Sequence, residues 1–371
     1  MKLFVINESF NSEARVAVSP EIVKKLSIGG CEVFFESGAG NASGFTDNDY
    51  ICNGAVISVK RDFSECDVVF AVNPLAAVDI SSLKAGAIVI SIQEPFNHPG
   101  NLESFAKNEI TSFALDLIPR TSRAQYMDIL SSQASLAGYK AVIEAAHILN
   151  RSLPLTMTTA GTIPAAKVLI IGAGVAGLQA IATARRLGAI VSAFDVRSAA
   201  KEQVESLGAK FVEVEHVEGN DGVYAKEMSD EYRMAQESKL RMVIPQQDII
   251  ITTAQIPGKR APVILKADMV STMKRNSVII DLASKSGGNC ELTENGKIIE
   301  KDGVKICAFD NILNLIPHDA SRLFAKNVYA FFELLTQNMV KEPDISKIDD
   351  EIIVGTLMTH GGKITNERLR R

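Results

Sequence analysis

The run Lys167-Val168-Leu169-Ile170-Ile171-Gly172-Ala173-Gly174-Val175-Ala176-Gly177 holds the residues of this chain whose spacing is best suited to chemistry. A β-branched apolar stretch runs straight into G-x-G-x-x-G, and the apolar residues 178–187 then read as a helix. In that setting Gly172 permits a tight turn, Gly174 lets the backbone approach a pyrophosphate, and Gly177 lets helix and strand pack closely. The helix start offers free N–H groups and a partial positive charge to phosphate oxygens. About 18 residues past the last glycine, the strand Ile190-Val191-Ser192-Ala193-Phe194 ends on Asp195. A carboxylate there accepts hydrogen bonds from the hydroxyls of an adenosine ribose and repels a 2′-phosphate, which favours NAD(H) over NADP(H). Arg197 follows closely and reads as packing over the adenine or pairing locally.

The elements that must hold this loop show as alternating patterns. In the first 115 residues, strands at 3–5, 33–35, 68–71, 88–91 and 112–115 alternate with helical stretches. Ser19-Pro20-Glu21 opens one such helix, with serine as N-cap and proline in the first turn. Alternation of this kind means βαβ units and a largely parallel sheet. Gly38-Ala39-Gly40 resembles a second phosphate loop, but residues 41–47 continue as loop and not as an apolar helix, so a second nucleotide is not expected. Residues 134–149 keep apolar residues at helical spacing and read as a long helix between two domains. Further strands fall at 210–214, 248–253, 277–282 and 305–308, and a second long helix at 320–339 leads the chain back. The tail, 352–359 and 363–364 broken by Gly361-Gly362, reads as a hairpin. The expected fold is α/β: two Rossmann-like, doubly wound domains joined by long crossover helices. Residues 1–130 and 320–371 form a discontinuous first domain, and 131–319 the nucleotide-binding one. The polar, acidic stretch 215–237 is long for a connection in such a domain and reads as a mobile loop.

Composition narrows the function further. A chain of 371 residues suits two domains, and 46% hydrophobic with 22% charged residues describes an ordinary globular protein. A net charge of −5 gives no footprint for nucleic acid. No apolar run approaches the roughly 18 uncharged residues of a membrane span. The opening Met1-Lys2-Leu3-Phe4-Val5-Ile6-Asn7-Glu8 turns acidic too soon for a signal peptide and looks like a first strand. Cys31, Cys52, Cys66, Cys290 and Cys307 are scattered without C-x-x-C spacing. Four of them sit in or beside apolar segments and read as buried thiols in a reducing compartment. The five histidines are isolated too, and no metal site emerges.

Arg120-Thr121-Ser122-Arg123-Ala124-Gln125-Tyr126-Met127-Asp128-Ile129-Leu130-Ser131-Ser132 carries a more specific signal. It resembles the loop that defines the NAD(H)-binding alpha component of proton-translocating NAD(P) transhydrogenases, in the alanine dehydrogenase/transhydrogenase family. Gly138-Tyr139-Lys140-Ala141-Val142, Thr159-Ala160-Gly161-Thr162, Ile256-Pro257-Gly258-Lys259, and Asp281-Leu282-Ala283 with Gly287-Gly288-Asn289-Cys290 match as well. The likeness covers essentially the whole chain.

The resemblance implies direct hydride transfer from NADH bound here to NADP+ bound on a partner component. It assigns Arg120, Gln125, Asp128 and Ser131 to the catalytic loop that positions the nicotinamide end. The cofactor-binding set becomes Gly172, Gly174, Val175, Ala176, Gly177, Asp195, Val196, Arg197 and Ala254, with Tyr224 at the tip of the mobile loop. It implies a homodimer, an NADP(H)-binding component and a membrane component that conducts protons. The chain itself is expected to be a separate cytoplasmic polypeptide, peripheral to the inner (plasma) membrane through those partners. Alanine dehydrogenase is the alternative, since Arg15 matches the arginine that grips a substrate carboxylate there. The lysine, histidine and aspartate which that reaction needs align with Ala71, Glu94 and Lys285, and alanine transfers no proton. A nucleotide sensor without turnover is the third class. The chain departs from the family at Asn311-Ile312-Leu313-Asn314-Leu315, where Asn-x-Pro-Ser-Arg is usual.

Overall fold

Apolar β-branched runs dominate the strands because a parallel sheet is covered on both faces. The computed structural model describes residues 1–214, 230–256 and 258–369. Along the chain come β1 (Lys2–Val5), α1 (Pro20–Ile28), β2 (Glu32–Glu36), α2 (Asp47–Cys52), β3 (Ala55–Ser58), β4 (Val68–Phe70), α3 (Ala77–Ser82), β5 (Ile88–Ser91), α4 (Pro99–Lys107) and β6 (Thr111–Ala114). The long helix α5 (Ile129–Ile148) follows. Then come the hairpin β7 (Thr156–Thr158) and β8 (Gly161–Ile163), β9 (Lys167–Ile171), α6 (Val175–Arg186), β10 (Ile190–Phe194), α7 (Ala200–Ser206) and β11 (Lys210–Phe211). After α8 (Asp230–Val243) stand β12 (Ile249–Thr252), α9 (Ala267–Val270), β13 (Val278–Asp281), β14 (Ile298–Lys301) and β15 (Val304–Cys307). The chain closes with α10 (Pro317–Lys341), α11 (Glu351–Thr356), β16 (Leu357–His360) and β17 (Lys363–Ile364).

These elements divide into two units. Unit 1 takes Met1–Gln133 and Leu313–Arg371, and unit 2 takes Ala134–Ile312. The sheet of unit 1 runs β17-β16-β6-β5-β4-β1-β2-β3, parallel from β6 to β3, with β16 antiparallel to β6. Its core is shared by both chain segments: Phe332 of α10 meets Phe70 edge to face at 5.4 Å, and Phe331 meets Phe113 at 5.3 Å. Edge-to-face rings add about 0.5–1.5 kcal/mol beyond the area they bury. The sheet of unit 2 runs β11-β10-β9-β12-β13-β15-β14, parallel but for β14. Strand order reverses between β4 and β1 in unit 1 and between β9 and β12 in unit 2. Those are the points where an open α/β sheet leaves a crevice at its carboxyl edge. The chain is thus α/β, with two Rossmann-like units built on parallel-dominated sheets.

The structure corrects several expectations. Ser19 stands at the N-cap of α1 but its side chain makes no capping bond; Pro20 opens the helix with its preset φ. Helix α5 begins at Ile129, ahead of 134, because the Asp128 carboxylate caps it. Asp230–Val243 is helix, so the end of the stretch 215–237 is not loop, while residues 215–229 lie outside the described residues. Residues 352–356 are helical, since Asp350 accepts hydrogen bonds from the N–H groups of Ile352 and Ile353 and starts α11. Three cysteines, Cys66, Cys290 and Cys307, are buried, Cys31 is half-buried, and Cys52 is exposed. Strand β3, the hairpin β7–β8 and the antiparallel β14 add to the strands that the sequence pattern predicts.

Candidate functional site

Gly172 leaves β9 with φ +97° and turns the chain toward α6, whose N-cap is Gly174. Among the described residues a Cβ on Gly174 would meet nothing within 4 Å, so the backbone stands open to them there. At Gly177 a Cβ would lie 1.8 Å from the Gly172 carbonyl oxygen, which lets only glycine bring helix and turn together. On α5, a Cβ at Gly138 would lie 2.0 Å from the carbonyl oxygen of Ala176, so the backbone of α5 rests against the first turn of α6. Among the described residues no side chain caps α6. The N–H groups of Val175 and Ala176 therefore remain for an acceptor from outside the helix.

Asp195 follows β10 and is 9% exposed. Its Oδ2 accepts from the N–H of Ala173 at 2.7 Å and from Arg197 Nη2 at 2.9 Å. Its Oδ1 accepts from the Arg197 N–H at 2.8 Å and from Nε at 2.9 Å. Burial alone would raise its pKa, but these donors, led by the Arg197 side chain, hold it below the ordinary aspartate value. It stays an anion, suited to accept from hydroxyls. Arg197 pairs locally, as one of its two sequence readings has it, and Val196 beside it is exposed. An open glycine turn, an uncapped helix start and a buried acid at the neighbouring strand end together fit a dinucleotide.

On the other side of β9, the turn after β12 is held from beneath. Thr253 Oγ1 donates to the Gly172 carbonyl at 2.9 Å. Asn289, fully buried, takes both sides of Ala254: its Oδ1 accepts from the Ala254 N–H at 2.9 Å and its Nδ2 donates to the Ala254 carbonyl at 2.8 Å. The Asn289 N–H in turn donates to Asp281 Oδ2 at 2.8 Å. Of these residues only Ala254 belongs to the sequence-predicted site. Sequence reasoning misses Thr253 and gives Gly138, Asp281 and Asn289 no role of their own. The signal for them is a pair of polar residues at the carboxyl ends of two neighbouring parallel strands.

Arg120, Gln125, Asp128 and Ser131 lie in unit 1, and the glycine turn and Asp195 in unit 2. Asp128 and Ser131 are brought together: Asp128 Oδ1 accepts from the Ser131 N–H at 2.9 Å and Oδ2 from Ser131 Oγ at 2.6 Å. Arg120 and Gln125 are exposed, and neither side chain is hydrogen-bonded within the described residues. The loop between is a 3-10 turn, Ser122–Met127, anchored where Asn327 Nδ2 donates to the Tyr126 carbonyl at 2.7 Å and Arg123 meets Asp350 at 2.7 Å. Met127 is buried and Tyr126 is 80% exposed. Tyr224 falls outside the described residues.

The reversal point of unit 1 is filled. Glu8 accepts from the N–H groups of Val72 at 2.6 Å and Asn73 at 2.9 Å. Burial, against the pull of those two donors, raises its pKa to about 7. Arg15 forks onto Glu13 through Nε (2.9 Å) and Nη2 (2.8 Å), and its Nη1 donates to Gln133 Oε1 at 3.0 Å. The arginine that could grip a carboxylate is thus buried and paired. Ala71 is buried, whereas Glu94 and Lys285 are exposed. Among the described residues no helix is long and apolar enough to cross a membrane.

Comparison with known proteins places these features. Residues 4–137 match the family model "Alanine dehydrogenase/PNT, N-terminal domain" and residues 141–367 its C-terminal domain counterpart. The chain is 46% identical to the protein of Rhodospirillum rubrum named as the first part of NAD(P) transhydrogenase subunit alpha, covering 100% of this chain and 99% of that one. It is 41% identical to the protein of the same name from Rickettsia prowazekii, covering 100% and 97%. A crystal structure of transhydrogenase from Sinorhizobium meliloti superposes with a TM-score of 0.87 at 43% identity, covering 99% of this chain and 100% of that one.

Proposed function

This chain belongs to the alanine dehydrogenase/transhydrogenase family, and on that premise we propose that it is the NAD(H)-binding component of a proton-translocating NAD(P) transhydrogenase. The observation that carries the proposal is the 46% identity held over 99% of the Rhodospirillum rubrum protein named as the first part of transhydrogenase subunit alpha. NADH would supply a hydride to NADP+ held on a separate component. Neither carbon exchanges a proton, so the chain needs no general acid or base, and its work is placement. Alignment at near-attack distance is worth several kcal/mol. The N–H groups of Val175 and Ala176 would hold the pyrophosphate, and Asp195 the adenosine ribose, with Arg197 giving up part of its fork. Arg120, Gln125, Asp128 and Ser131 would set the nicotinamide end. The tied pair Asp128–Ser131 gives that loop a fixed floor, and the free Arg120 and Gln125 side chains remain to meet a ligand. In this reading the chain works as a homodimer, bound through its NADP(H)-binding and proton-conducting partners to the cytoplasmic face of the inner (plasma) membrane.

Hydride transfer from NADH to an NADP+ analogue, measured with and without the NADP(H)-binding component, tests the proposal. Transfer is expected only with both proteins present. Consumption of pyruvate and ammonium by this chain alone would make it an alanine dehydrogenase instead. The bidentate capture of Arg15 by Glu13 speaks against that outcome.

A further inference from the structure

We propose that Asn289 is a positioning residue for the nicotinamide half of NAD(H), acting through the Ala254 peptide that it clasps. The inference rests on the reading that unit 2 binds NAD(H). Strands β10, β9 and β12 are neighbours in that order. Asp195 stands at the end of β10 and the glycine turn at the end of β9. A dinucleotide with its ribose at Asp195 and its pyrophosphate at the glycine turn must extend its other half toward the end of β12. There the chain continues as Thr253-Ala254-Gln255.

That peptide is fixed from below. Besides the two bonds to Ala254, Asn289 Nδ2 donates to the Pro262 carbonyl at 2.8 Å. Both amide protons and the amide oxygen are therefore used, and all three partners are backbone groups. Asn289 is itself held: Asp281 Oδ2 accepts from its N–H, from the Cys290 N–H at 3.0 Å and from Thr293 Oγ1 at 2.6 Å. Asp281 Oδ1 accepts from Thr252 Oγ1 at 3.0 Å and the Ala283 N–H at 2.9 Å. The clasp thus joins the ends of β12 and β13 through buried bonds that have one arrangement. It reaches the glycine turn as well, because a Cβ on Gly172 would lie 2.6 Å from Thr253 Oγ1 and 3.2 Å from the Ala254 nitrogen. Only a short side chain with donors and an acceptor in one plane satisfies this set. Aspartate would turn oxygen toward two carbonyls, and alanine would take the side-chain partner from three half-buried backbone groups.

The experiment is calorimetric titration of the intact chain and of Asn289→Ala with NADH and, separately, with AMP, which carries the adenosine end alone. The expected result is an NADH Kd raised about tenfold, with AMP affinity kept within about twofold. Asn289→Asp should weaken NADH at least as much, again sparing AMP. Parallel weakening of NADH and AMP, as general loosening of the unit would give, overturns the proposal, and so does unchanged NADH affinity. Should Asn289→Ala fail to fold, Asn289→Gln keeps a buried amide displaced by one methylene, and the same split between NADH and AMP decides. Failure of the unaltered chain to bind NADH would instead remove the reading on which the inference rests.

Discussion

At the reversal point of unit 1, the N–H groups that follow β4 are taken by the Glu8 carboxylate, and the nearby guanidinium of Arg15 is taken by Glu13. At the reversal point of unit 2, side chains are spent on the backbone from beneath, through Asn289 and Thr253, and the helix start above is left uncapped. One topology has thus been furnished in two ways. In the first, charged side chains satisfy each other and the crevice becomes part of the core. In the second, polar side chains hold a rigid floor and leave donors on top. Topology says where a site can be, and the satisfaction of individual donors says whether there is one.

The contrast can be broken most forcefully at Arg15. Arg15→Ala would leave the buried Glu13 carboxylate without its fork and should cost about 3–5 kcal/mol of stability in chemical unfolding. Titration of the same variant should give an unchanged NADH Kd, and a matching loss of affinity would make the reversal point of unit 1 part of the nucleotide site.

Next in size is Glu8. Its pKa in the folded chain, about 7 against 4.5 for the free group, means that the folded state holds the proton more tightly. Its contribution to stability is therefore full below pH 4.5 and is lost as the pH rises to about 7, up to about 3 kcal/mol in all. Glu8→Gln should flatten the unfolding free energy across that window, and an unaltered slope would show that Glu8 is not the group responsible.

Beyond these two groups the effects should fall on binding and on transfer. Asp195→Ala is expected to weaken NADH by about 10–100-fold, read by calorimetry. Gln125→Asn should leave NADH affinity within about twofold while slowing transfer to the partner's NADP+ analogue by up to about tenfold, read by stopped flow. Equal loss of binding in both variants would dissolve the division between holding and aligning.

Much of the fold is legible in the chain because parallel strands buried on both faces are nearly continuous apolar runs. Val168 to Ile171, Ile249 to Ile251 and Val278 to Ile280 are examples. Strand β3 is hard to read because it is an edge strand whose Val56 is exposed, so its pattern carries little apolar signal. Ile352-Ile353-Val354 has strand propensity, yet the Asp350 cap turns it into α11, an instance of a local hydrogen bond overriding β-branching. The glycine turn is legible because its constraints are local in sequence. The clasp on Ala254 is not, since Asn289 stands 35 residues away and acts only through folded geometry.

The two-segment composition of unit 1 bears on how the chain is made. Its β6 edge and the aromatic face awaiting Phe331 and Phe332 leave the ribosome first, but their partners in α10 and β16 come only after Ala134–Ile312 has been synthesised. At ordinary elongation rates that interval lasts on the order of 10–40 s. During it, unit 2 has its complete sequence and unit 1 offers an unpaired strand and uncovered apolar surface. Unit 2 can therefore complete its sheet while unit 1 still lacks the partners of its edge and its aromatic face. A synthesis arrest after Ile312 would strand unit 1 as an aggregation-prone fragment beside a finished neighbour.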